Sequence, residues 1–392
     1  MYKVITYSIL LLAGLIMSQL LPATIDSYAS IQPVIFALTM VALSYIMINV
    51  GREFEIDKNN LRQYGWDYVV AMTTATFPWI GVVLYFLLVL FPQTMWTSSE
   101  VWKELFIIGR FAAPTSAGVL FAMLAAAGLG ATWVFAKARV LAIFDDLDTV
   151  LLMIPLSILV VGWNPMMGLM LLLMIAMLAA GYLYLHQWAI PSSAPMVLLY
   201  SVVITFGCEL FYLGTKVHFE VLLPAFVLGC LMKSQHESQR DEKISTVVAG
   251  CFMVLVGLSL PQVFGPVAIS PENTSVTAGL DSMGIREIAK HVLIITLIAN
   301  VGKMFPLFCY RKVASLRERL ALSLAMCPRG EVGAGVIMIS IGYGFGGPVL
   351  TISMLALALN LVMTGGFILL VKRLIEGHQQ EALIQPPVRV QA

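Results

Sequence analysis

The sequence predicts an all-α integral membrane protein of about twelve transmembrane helices, with inverted-topology repeats and two broken helices that cross. Three observations lead there. Of 392 residues, 59% are hydrophobic and 11% charged, with a mean hydropathy of +0.90, whereas soluble domains are about 25% charged. Apolar runs near the ~20 residues needed to span a bilayer recur along the whole chain with brief connectors. The fourth and eleventh runs carry matching Pro/Gly interruptions, the mark of a transporter site between two repeats.

The expected spans are 4–21, 33–50, 66–91, 105–127, 132–161, 166–185, 194–214, 219–233, 244–262, 287–310, 318–343 and 348–371. The first follows Lys3 and reads as a retained span. It is longer than a secretory signal core, and Ser18-Gln19-Leu20 offers no small-residue cleavage pattern. The eighth is short. The longest connector, from about Gln262 to Gly284, holds Pro266 and Pro271, and Ile285-Arg286-Glu287 starts the next helix. One transmembrane domain over 1–375 is therefore expected, with core helices near 105–161 and 287–371. Residues 376–392 read as a short disordered cytoplasmic tail.

Alternating connectors carry the basic residues. Lys3, Arg52, Lys58, Arg62, Lys137, Arg139, Lys233, Arg240, Lys243, Arg311, Lys312, Arg317, Arg319, Lys372, Arg373 and Arg389 fall on one side. Lys103, Arg110, Lys216, Arg286 and Lys290 fall on the other, and only Lys303 and Arg329 stay within spans. The positive-inside rule then places both termini in the cytoplasm.

Several function classes drop out. A net charge of +1 gives no basic surface for nucleic acid. The five cysteines lie in or beside apolar runs without metal-like spacing, and the five histidines are scattered singly. No catalytic signature is present, so an enzyme is not expected, nor is a cofactor.

The chemistry is concentrated in span five, Val140-Leu141-Ala142-Ile143-Phe144-Asp145-Asp146-Leu147-Asp148. A charge at the middle of a membrane helix costs about 2.5–3.5 kcal/mol on insertion scales. Such acids need partners, and an ion or proton site is the default reading. Asp145 and Asp146 point about 100° apart, while Asp148 shares nearly the face of Asp145. Lys303, deep in span ten, is the natural partner of one aspartate. Glu209, in the seventh span, has no evident partner.

Span four is broken by Pro114-Thr115-Ser116-Ala117-Gly118, and span eleven by Cys327-Pro328-Arg329-Gly330-Glu331. Proline frees backbone carbonyls, and the small residues permit unwinding. Pro114 precedes Asp145 by 31 residues and Pro328 precedes Asn360 by 32, making Asn360 the counterpart of the aspartates. Arg329 and Glu331 read as supports that neutralise each other or the exposed helix ends.

These residues resemble the monovalent cation–proton antiporters, in the two-aspartate branch. The resemblance runs through Asn49-Val50-Gly51-Arg52-Glu53-Phe54, Ala113-Pro114-Thr115-Ser116-Ala117-Gly118 and Phe144-Asp145-Asp146-Leu147. It continues through Pro224-Ala225-Phe226-Val227-Leu228-Gly229, Val254-Leu255-Val256-Gly257-Leu258, Gly302-Lys303 and Pro328-Arg329-Gly330-Glu331-Val332. It implies Asp146 as principal ion and proton carrier, Asp145 as the salt-bridge partner of Lys303, and Thr115 and Ser116 as oxygen donors to the cation. It further implies exchange of sodium, or lithium or potassium, for protons by alternating access of an elevator type, electrogenically. A homodimer in membrane lipid, in a bacterial inner membrane, completes what it implies. Asp148 is an acid beyond the family's pattern, and its role is left open. An organic-anion symporter of the same architecture and a non-transporting membrane sensor are the alternative readings.

Overall fold

The computed structural model describes residues 2–24, 28–52, 61–162, 165–215, 221–233, 239–259 and 283–384. The expected long connector falls almost wholly outside these residues, as do Lys58, Lys216 and Arg389. Among the described residues the regular structure is helical: α1 (Tyr2–Thr24), α2 (Tyr28–Arg52), α3 (Leu61–Leu90), α4 (Ser99–Gly109), α5 (Ala117–Ala126), α6 (Trp133–Val161) and α7 (Pro165–Leu183). After these come α8 (Ala194–Thr215), α9 (Leu222–Leu231), α10 (Gln239–Leu258), α11 (Ile285–Gly302), α12 (Leu316–Ala325), α13 (Glu331–Gly342) and α14 (Gly347–Ile384).

Seven stretches are each long and apolar enough to cross a bilayer, with α4 and α5 together forming one of them. The acid-bearing α6 is not among the seven. The outer faces are apolar, with Leu172, Phe206 and Leu210 all exposed. Glu209 shares that exposed region of α8.

Proline sets where the helices break. It lacks an N–H and its ring collides with the carbonyl four residues back. Pro114 acts on Arg110, where α4 passes into a short 3-10 turn over Arg110–Ala112. Pro328 acts on Leu324, and α12 stops at Ala325. Span ten is corrected in the same way. The span expected over 287–310 is present as Ile285–Phe308, but its helix is interrupted: Pro306 acts on Gly302, α11 ends there, and Phe305–Phe308 forms a 3-10 turn. Pro78 and Pro155 are nevertheless carried within α3 and α6, so proline alone does not break a span.

The new helix starts are capped. Ser116 Oγ accepts from the Val119 amide at 3.3 Å at the head of α5, and Thr132 does the same for Phe135 at 3.2 Å in α6. Ser315 and Glu318 form a reciprocal capping box on α12.

A further correction concerns the tail. Instead of ending near 371, α14 continues to Ile384. Glu, Gln, Ala and Leu favour helix there, and Lys372 pairs with Glu376 one turn on at 3.5 Å.

Close helix crossings rely on glycine. A Cβ on Gly51 of α2 would strike the Phe226 carbonyl of α9, and one on Gly229 would strike the Ile48 carbonyl of α2. Gly229→Ala should therefore lower stability by about 1–3 kcal/mol. Gly168, with open space around it, is the control. Thermal unfolding in detergent should separate Gly229→Ala from Gly168→Ala; equal midpoints would contradict the packing.

Candidate functional site

The two interrupted helices meet in the protein core. Between α4 and α5, residues 113–116 are unwound, and the Ser116 amide donates to the Pro328 carbonyl at 2.9 Å. The Thr115 hydroxyl donates to the Met326 carbonyl at 3.0 Å. Each break thus satisfies backbone groups that the other has exposed, as a buried break requires.

Asp145 of α6 lies beside this crossing. Its Oδ2 accepts from the Thr115 amide at 2.7 Å and from Lys303 Nζ at 2.9 Å. Lys303 also donates to Thr115 Oγ1 at 3.0 Å. Asp145 and Lys303 are fully buried. Asp145 Oδ1 is buried and makes no hydrogen bond among the described residues. Lys303 sits at the C-terminal end of α11, where the helix dipole favours a cation.

Asp146 faces elsewhere. It lines a cavity of about 220 Å³ bounded by Met47 of α2, Tyr64 of α3, Met174 and Tyr182 of α7, and Phe226 and Cys230 of α9. The walls are otherwise largely apolar. One residue of helix rotation thus separates an aspartate held by two neighbouring groups, the Thr115 amide and Lys303, from one at a cavity wall.

Asp148 bonds to neither Thr115 nor Lys303. Arg110 Nη2 donates to its Oδ2 at 3.2 Å and to its main-chain oxygen at 3.1 Å. The connector pattern places Arg110 among the charges on the outer side, but it is fully buried. A charge in a connector would be solvated; this one ends α4 inside the protein and has an acid to meet.

The second break has the same plan. The Arg329 amide donates to Asn360 Oδ1 of α14 at 3.0 Å, as the Thr115 amide donates to Asp145. The Arg329 guanidinium donates to the carbonyls of Ala112 (2.9 Å), Ala299 (2.8 Å) and Cys327 (3.3 Å). It therefore gathers the exposed carbonyl ends of the 3-10 turn after α4, of α11 and of the stretch after α12, which carry partial negative charge. Glu331 opens α13, and its side chain lies outside the described residues.

Three participants carry no role in the sequence reading. Asn300 Oδ1 accepts from both Arg329 Nη1 (3.0 Å) and Asn360 Nδ2 (2.9 Å). It lies three residues before Lys303 in the same span, and that spacing was the available signal. Arg110 could have been found from its position four residues before Pro114. Asp67 gives no such cue: it is buried, accepting from Lys137 Nζ at 2.8 Å and from Tyr310 Oη at 2.6 Å.

The arrangement can hold a small cation on carboxylate and hydroxyl oxygens. Among the described residues, no cluster of three or more His, Cys, Asp or Glu side chains is suited to a resident metal.

Comparison with known proteins agrees with this fold. Among curated proteins none matches the chain. Among solved structures, the chain is similar to the sodium proton antiporter MjNhaP1 from Methanocaldococcus jannaschii at pH 8, with 15% identity, 92% of each chain covered and a TM-score of 0.55. At that identity the likeness is one of fold. Residues 2–374 match the family described as "Sodium/hydrogen exchanger, transmembrane". Nearly the whole helical domain lies within that match, and this multi-pass membrane protein belongs to the sodium/hydrogen exchanger family.

Proposed function

We propose that this cation–proton antiporter exchanges sodium, and also lithium or potassium, for protons, with Asp146 as the group that carries them. The supporting observation is the division between the two adjacent aspartates. Asp145 is engaged by Lys303 and the Thr115 amide, whereas Asp146 lines the cavity. A dehydrating cation needs oxygens in place of its water shell. The donors assigned here are Asp146 from the cavity side and, from the helix crossing, the open Oδ1 of Asp145 and the oxygens of Thr115 and Ser116.

Cation and proton compete for one carboxylate, so the site carries one or the other. In the structure, Thr115 Oγ1 already accepts from Lys303. A cation on that oxygen would lie beside the Lys303 ammonium, and repulsion between the two charges favours withdrawal or deprotonation of the lysine, which couples it to transport. Release of a proton by Lys303 would make the exchange electrogenic.

Alternating access follows from a unit of α4, α5, α6, α11, α12 and α13 moving against the rest. The parallel between Thr115–Asp145 and Arg329–Asn360 supports its origin as two inverted repeats. Both termini are assigned to the cytoplasm, on the charge alternation of the connectors. The protein is assigned to a bacterial inner membrane as a homodimer.

Proteoliposomes carrying a pH-sensitive dye test the reading. Sodium and lithium gradients should drive proton movement, and an imposed membrane potential should change its rate. No cation-driven proton movement with any alkali ion would refute it. A rate indifferent to potential would refute electrogenicity alone.

A further inference from the structure

Asp148 lies one turn beyond Asp145 on nearly the same face of α6, and both are at least nine-tenths buried. A third carboxylate so near the exchange site would strongly bias it toward positive ions. Arg110 opposes that bias from a built position. Its Nη2 contacts both the carboxylate and the main-chain oxygen of Asp148. Its guanidinium carbon lies 4.7 Å from the ring centre of Trp79, a stacking contact that favours a cation. The Trp79 indole N–H is itself anchored to the Phe106 carbonyl at 2.9 Å. Side chains from α3 and α6 thus fix a guanidinium supplied by the end of α4.

We propose that Arg110 and Asp148 set the cation affinity of the exchange site, Arg110 being a positioning residue that offsets the third carboxylate of α6. The proposal rests on the transport reading above. Arginine stays charged at any working pH, so its positive charge persists when the partner is removed. This gives the two residues opposite effects. Loss of Asp148 leaves a positive charge in excess and weakens cation binding, while loss of Arg110 leaves a negative charge and does not weaken it. A purely structural pair would weaken binding on loss of either member, so the effect of losing Arg110 alone separates the two readings.

The test is sodium-driven proton flux in proteoliposomes at one alkaline pH, giving KM and maximal rate for wild type, D148N, R110Q and the double variant. For D148N, KM should rise about tenfold, the size of a unit charge acting over about 10 Å inside a protein, with the maximal rate changed by less than about twofold. Adding R110Q to D148N should return KM toward the wild-type value. R110Q alone should give a KM at or below wild type. The proposal is overturned if D148N leaves KM unchanged or lowered, or if the double variant is no better than D148N. Should D148N not fold, R110Q decides: a raised KM overturns the proposal, and a KM at or below wild type supports it. Absent flux in the wild-type protein would instead defeat the transport reading itself.

Discussion

Asp146→Asn is expected to abolish cation-driven proton movement while the protein still folds and inserts. An amide matches the carboxylate in shape but carries no charge for a cation and binds no proton at working pH. Asp146 sits at the wall of the 220 Å³ cavity, and the amide keeps the size of the side chain that lines it. Flux in proteoliposomes measures the loss, and the thermal unfolding midpoint checks that folding survives. Exchange at the wild-type rate would remove Asp146 from the site.

Lys303→Ala should instead be felt first in stability. The Lys303–Asp145 pair is fully buried, with 2.9 Å between Nζ and Oδ2. Removing one member of a buried pair costs about 3–5 kcal/mol, because the remaining charge is left in dry surroundings. Thr115 would lose a donor as well. Asp145→Asn combined with Lys303→Ala should recover part of the loss, since no lone charge is then left behind. Thermal unfolding of the two single variants and the double gives the coupling between them. Additive losses would mean that the pair does not hold the crossing together.

Much of this was legible in the chain itself. The spans follow from apolar length, because a bilayer leaves no partner for backbone polar groups except the helix itself. Pro114 and Pro328 marked the two breaks, and Lys303 was singled out as an intramembrane base in need of an acid. Other features were hidden for identifiable reasons. Pro306 looked no different from Pro78 or Pro155, yet only the helix carrying Pro306 ends at the proline-freed carbonyl. Arg110 looked like a connector charge because hydropathy does not reveal where a helix is buried by its neighbours. The tail of α14 was read as unstructured because it is polar, although its residues are good helix formers.

The sequence by itself determined the class of protein, its helical membrane-spanning character, the place of the acids and the breaks at Pro114 and Pro328. Each of these depends on local composition, spacing or the covalent geometry of proline. Composition and spacing left open which charge meets which: the family resemblance implied the Asp145–Lys303 pair, and the tertiary structure shows it together with the unexpected Asp148–Arg110 pair. Asp145 meets Lys303 across 158 residues and Asp148 meets Arg110 across 38, while Asp146, adjacent to Asp145, faces the cavity. The physical reason is that helix periodicity fixes the angles between side chains but not the rotation of the helix against its neighbours. That rotation is set by packing, where a carbonyl meets a glycine or a guanidinium meets an indole ring.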